Sequence, residues 1–154
     1  MKRSRVLFFL LVLAALVSAT IVIAAETFTV TRVDPAGTDM SITKVYWKAA
    51  SDGTKADGTI PDGYANGLVI AIITNPGSVA PADNYDLTIL DKDGVDIAAG
   101  TLANRDTANS EIVQPLAGAL AYPQGRPVVG PQTVTFTNQA NANCDGEIII
   151  FSLK

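Results

Sequence analysis

Histidine is absent from the 154 residues, and cysteine occurs once, at Cys144. The first absence removes imidazole acid–base chemistry, the serine and cysteine triads, and the usual zinc sites. The second rules out an internal disulfide. A small exported domain of this kind must rest on its apolar core or on assembly with partners. Cys144 itself reads either as a small apolar filler or as a thiol reserved for an intermolecular disulfide or other reaction. Basic residues are also scarce, with 11 Lys and Arg against 15 Asp and Glu. Three of the 11 sit in the first five residues. Without them the formal charge of −4 becomes −7 over residues 26–154. Such a body lacks the basic stripe that nucleic-acid phosphates require. An anionic membrane surface does not attract it either. No long amphipathic helical pattern and no repeat of solenoid or propeller length is present.

What is present begins with a leader, "MKRSRVLFFLLVLAALVSATIVIAA". Lys2, Arg3 and Arg5 form a positive start, and Val6 to Val17 is an unbroken apolar run. This is the pattern of an export signal, with a cut expected after Ala19 or Ala25. The same stretch from Val6 to Ala25 also has the length of a membrane-spanning helix, with the positive flank held in the cytoplasm. Residues 1–25 are therefore expected to be a cleaved signal peptide or an N-terminal hydrophobic anchor helix. Either sends the single domain of residues 26–154 out of the cytoplasm, to the periplasm, the medium or the cell surface. No cysteine sits near the end of the apolar run, which argues against a lipid anchor.

The rest of the chain alternates in the manner of β-strands. In "TFTVTRVD", Phe28 and Val30 face opposite to Thr27, Thr29 and Thr31. In "SITKVYWKAA", Val45, Trp47 and Ala49 oppose Lys44, Tyr46 and Lys48. "NYDLTILD" puts Tyr85, Leu87 and Ile89 on one side, and "QTVTFTNQ" does the same with Val134 and Phe136. "GLVIAIITNPG" is apolar at every position from Leu68 to Ile73 and predicts a central strand buried on both faces. "EIIIFSLK" is the closing strand. "TLANRDTANS" reads as a short helix or ordered loop, "EIVQPL" as an edge strand, and "AYPQGRPVVGP" as a connection. The Asp-Gly pairs at 52–53, 57–58 and 62–63 read as turns in a solvated loop or short hairpin. The sum predicts an all-β, antiparallel β-sandwich, Ig-like or jelly-roll-like, of about seven or eight short strands.

Few constellations carry chemistry. "DKDGVD" offers Asp91, Asp93 and Asp96 around Gly94, enough oxygens to suggest calcium. The EF-hand order fails, because its glycine belongs at the sixth position and here stands fourth. The twelfth position, which needs an acid, is Leu102. The competing reading is a hairpin turn on Asp93-Gly94, with "VDIAAG" returning as the partner strand. Arg105, Asp106 and Glu111 in "ANRDTANSE" form either a loop-fixing ion pair or a ligand contact. Tyr46, Trp47, Tyr64 and Tyr85 are a sugar-stacking set or core filling. Acids abound, but no pattern places two across a cleft as a glycosidase needs. No catalytic, cofactor-binding or metal residue is assigned on these grounds.

The stretch "PGSVAPADNYDLTILDKDGVDIAAGTLANRDTANSE" and the tail "RPVVGPQTVTFTNQANANCDGEIIIFSLK" resemble small, mostly uncharacterised proteins encoded among bacteriophage and prophage virion genes. The likeness runs from about Ser41 to Lys154. It implies a compact β-sandwich with a structural or accessory role in a particle, oligomeric and without catalytic residues. The leader sets this chain apart from such proteins and implies a copy that is secreted, anchored or displayed. The expectation is thus an exported, non-enzymatic structural or assembly protein, without cofactors. Its expected partners are further copies or a particle surface, and its membrane contact is limited to residues 6–25 where the leader is uncleaved. The alternative is an extracellular binding module for glycan or calcium.

Overall fold

A computed structural model of the chain describes residues 25–115 and 125–154. The expected leader helix lies outside them. Nine strands and no helix occur among the described residues: β1 (Thr27–Val33), β2 (Met40–Lys48), β3 (Gly58–Ile60), β4 (Gly67–Pro76), β5 (Asp86–Leu90), β6 (Glu111–Val113), β7 (Arg126–Val128), β8 (Gln132–Thr137) and β9 (Asp145–Leu153). They form two sheets, and every pairing is antiparallel. The larger sheet runs β1-β2-β9-β4, with β6 and β7 end to end along the far edge of β4. The smaller runs β3-β8-β5. Among the described residues no helix is long and apolar enough to cross a membrane.

Period-two patterning explains why each strand lies as it does. Along β2, Ser41, Thr43, Val45 and Trp47 are buried, and the residues between them are not. Along β9 the buried set is Gly146, Ile148, Ile150 and Ser152. Val134 and Phe136 of β8 and Leu87 and Ile89 of β5 close the core from the other sheet. The two sheets meet through aromatic rings. The Trp47 indole lies 4.5 Å from the Phe136 ring, centroid to centroid, and 6.0 Å from Tyr85. These tilted contacts suit the ring quadrupoles and bury large apolar areas. Gly146, beside Trp47 on the neighbouring strand, makes the space for it. A Cβ at that position would come within 2.8 Å of both the indole and the Asn75 carbonyl oxygen.

Several expectations need correction. β4 is buried on one face only: Val69, Ile72 and Thr74 point inward, while Leu68, Ala71 and Ile73 are half-exposed. The cause is the absence, among the described residues, of a layer packed on the outer side of the large sheet. "RPV" is the strand β7 rather than a connection. It occupies a sheet edge, where Pro127 removes no needed donor. "GTI" within the Asp-Gly loop forms β3. These two short pieces raise the strand count above the seven or eight expected. "VDIAAG" does turn back at Gly94, but it pairs with β5 through a single bridge, Leu90 with Asp96, and then coils into further turns. "TLANRDTANS" is an ordered loop, not a helix.

Trp47→Ala is expected to cost about 3–5 kcal/mol, the usual loss for a fully buried large aromatic. Gly146→Ala should cost about 1–3 kcal/mol by overpacking against that indole. Urea denaturation followed by tryptophan fluorescence for the second variant, and by circular dichroism for both, measures the two losses.

Candidate functional site

The acidic loop resolves into a turn. Asp91 Oδ1 accepts hydrogen bonds from the backbone N–H of Asp93 and of Val95, both at 2.9 Å. The Gly94 N–H bonds the Asp91 carbonyl at 3.0 Å, and Gly94 takes the left-handed φ of 77° that the turn needs. Asp96 accepts from the N–H of Ala98 and of Gly100. Asp93 faces away and pairs with Lys92 at 2.7 Å. Asp91 and Asp96 thus serve their own turns, and the three carboxylates do not converge. No group of three or more His, Cys, Asp or Glu among the described residues is arranged to hold a metal ion.

The second cluster is also structural. Arg105 is nearly buried, donates to the Ala103 carbonyl at 2.9 Å and lies 3.4 Å from Glu111. Glu111 accepts from the Asp106 N–H at 2.7 Å. Asp106 in turn accepts from the Asn109 side chain and from the backbone N–H of Ala108 and Asn109. Those bonds, the Asn109 side chain foremost, hold the Asp106 carboxyl below its usual range. The Arg105 N–H bonds the Tyr85 carbonyl, so the whole loop is tied to the entrance of β5. Burial pushes the Tyr85 hydroxyl up to about 12.

One residue that the sequence does not advertise joins these pieces. Asp86, next to Tyr85, accepts from the Asn104 N–H at 2.8 Å and from the Asn138 side chain at 2.6 Å. It therefore staples the "ANRD" loop to the end of β8. The "NYD" and "ANRD" segments, far apart along the chain, are halves of one structural joint. Asp57 plays a similar part, accepting from the Phe136 N–H at 2.7 Å. The polar spacing of these acids resembled loop composition, so only their partners distinguish them.

The aromatic set divides. Trp47 and Tyr85 fill the core, Tyr64 packs half-buried against it, and Tyr46 alone of the four is exposed. Cys144 is fully buried and accepts a hydrogen bond from Gln139 Nε2 at 2.6 Å. Its burial pushes the thiol up, chiefly by desolvation. An open depression of about 460 Å³ is lined by Glu26, Gly53, Thr54, Lys55 and Asp57. Asp57 is already committed to Phe136, so the depression does not present two free carboxylates facing each other.

What stands out is the outer face of the large sheet. Strand register aligns its outward side chains in cross-strand rows. The first row is Met40, Leu153, Leu68 and Pro127. The second is Val33, Ile42, Phe151 and Ala71. The third is Lys44, Ile149, Ile73 and Ile112. Ile112 is 63% exposed, Val33 51% and Leu153 36%. Strand and residue spacings give this apolar field an area on the order of 400 Å². That is the size of the largest patch on a typical monomer, which is often a functional surface. Toward the other end of the sheet the face turns polar, with Tyr46, Lys48, Glu147 and Asp145; the Tyr46 hydroxyl donates to Asp145 at 3.2 Å. Lys44 lies 3.7 Å from Glu147. The sequence signal for this face was present. Apolar residues at both odd and even positions of β4 and β9 mean two apolar faces, and the core uses one.

Native Cys144 is expected to resist a disulfide-exchange reagent such as DTNB and to react fully once the protein is denatured, as read by absorbance. Asp86→Ala should lower stability by about 1–3 kcal/mol through loss of charge-assisted hydrogen bonds, measured by thermal or urea melts. No protein-family model, no curated protein and no solved structure matches the chain.

Proposed function

We propose that this chain is an exported, non-enzymatic structural or assembly protein. On this reading it is a β-sandwich accessory module of the kind encoded among phage virion genes, in the broad Ig-like or jelly-roll-like group. Its partners are copies of itself or the surface of a particle. The observation that carries the reading is the apolar outer face of β2, β9 and β4, reached by β1 only at Val33. Three consecutive rows of that face are hydrophobic except at Lys44, and water-facing area of this kind is stabilised by being covered. The acidic loops support the same reading, because their carboxylates are consumed in holding turns rather than left to meet a ligand. The missing histidine removes imidazole chemistry and fits a role that is not catalytic.

Sedimentation velocity of the full chain, in mild detergent where the leader requires it, tests this from micromolar to hundreds of micromolar. Concentration-dependent species larger than a monomer are expected. Ile112→Lys combined with Leu153→Lys places two charges on exposed positions of the face and should remove the largest species while leaving the fold intact. A wild-type chain that stays monomeric over the whole range overturns the reading.

A further inference from the structure

The four sheet edges of this molecule are not alike. In the smaller sheet, β3 is only three residues long. The β5 edge is covered by the chain that follows it, through bridges of Tyr85 with Arg105 and Leu90 with Asp96 and through hydrogen bonds of Leu87 with Leu102 and Ile97 with Ile89. In the larger sheet, the outer edge of β4 is filled by two three-residue pieces, one of which contains Pro127. Short strands, prolines and covering loops are the ordinary means of blunting an edge. Among the described residues β1 has none of them. It runs seven residues in unbroken register with β2, contains neither proline nor glycine, and among the described residues pairs with β2 alone. Its single charge, Arg32, is already bound to Asp34 at 2.9 Å.

We infer that β1 is a homotypic assembly edge, which pairs antiparallel with β1 of a second copy to make one continuous sheet across a two-fold axis. The inference rests on the assembly reading above and names the partner. A second copy fits because the strand "TFTVTRV" is complementary to itself about Val30. With Val30 opposite its own counterpart, Thr29 meets Thr31, Phe28 meets Arg32 and Thr27 meets Val33 of the other copy. This register keeps each face with its like. Phe28, Val30 and Arg32 continue the half-buried inner face, and Thr27, Thr29 and Thr31 continue the exposed outer face. Two kinds of facing pair are favourable. Threonines opposite each other interact across strands, and an arginine over a phenylalanine ring adds a cation–π contact. A two-fold arrangement uses the same edge on both copies and closes, whereas pairing β1 with a different edge of the next copy would leave one β1 free and propagate.

Electrostatics favours this edge over other surfaces for a like partner. The chain is acidic as a whole, so most approaches bring negative surface to negative surface. Around β1 the charges are neutralised locally, Arg32 by Asp34 and Lys44 by Glu147. Within the seven strand residues two copies therefore meet without unpaired charge, while Glu26 of each comes opposite Asp34 of the other just outside the strand, where Arg32 and Lys154 flank Asp34.

The test uses the full chain and exposed positions that do not enter the core. Thr29→Lys with Thr31→Lys sets lysine against lysine at both crossings of the two-fold. Sedimentation is expected to show the dimer lost to monomer, with the far-ultraviolet circular dichroism and melting profile of the fold retained. Thr29→Lys with Thr31→Glu sets lysine against glutamate instead, and the dimer should return. If the double-lysine chain keeps the mass of an assembled wild type, the edge pairing is wrong while assembly through the outer face stands. If both charge variants dissociate alike, the proposed register is wrong. If the wild type is monomeric throughout, edge and assembly reading fall together.

Discussion

The contact between Trp47 and Phe136 is the constraint on which the arrangement of the two sheets depends. β2 belongs to the larger sheet and β8 to the smaller, and their rings approach to 4.5 Å in the middle of the core. No disulfide shares this task, since Cys144 is the only cysteine. Apolar burial must therefore hold the sheets together, and an indole contributes more of it than any other side chain. The requirement propagates outward. Gly146 must lack a side chain so that the indole fits, and Tyr85 must enter from the start of β5 to complete the cluster. Tyr85 in turn receives the Arg105 backbone, so the longest irregular loop is organised around the same aromatic centre.

The acidic side chains complete what the core begins. A small domain with three strands in one sheet has long connections to fasten, and buried backbone N–H groups in those connections need partners. Asp57, Asp86, Asp91, Asp96 and Asp106 each accept backbone N–H groups close to where the chain changes direction. Asp145 does so too, receiving the Val79 N–H at 2.8 Å where the chain leaves β4. Carboxylates suit this work because a charge-assisted hydrogen bond is stronger than a neutral one. The acidity of the chain is thus largely architectural. It leaves few carboxylates free for a ligand, and it makes most of the surface repel a second copy.

The larger sheet then presents two features that the smaller one lacks. Its outer face carries rows of aliphatic side chains across β2, β9 and β4, and its first strand offers an uninterrupted edge. A closed sandwich would cover the first and blunt the second. Both lie on one sheet and meet near Val33, which ends β1 and is 51% exposed. Pairing at the β1 edge would set Val33 of one copy beside Thr27 of the other, whose row continues through Lys48 and Asp145. The two apolar faces would then lie diagonally across the dimer, on the same side of one continuous sheet, each left open to a further surface.

Sequence alone determined the elements whose side chains alternate. β1, β2, β5 and β8 were legible because a period of two assigns each residue to a face whatever the fold, and Trp47, Tyr85, Val134 and Phe136 could be placed in the core for that reason. The Asp93-Gly94 turn was legible because its backbone demand is local. Tertiary structure alone decided the rest. β3 and β7 are too short to carry a period, and they are strands only because β8 and β4 offer them an edge. Whether the second apolar face of β4 lies in the core or outside depends on how many layers pack on the sheet. Alternation cannot report that number, because both faces read as hydrophobic. The partners of Asp86 and Arg105 likewise depend on loops brought together across the fold, since hydrogen bonding follows position in space and not distance along the chain.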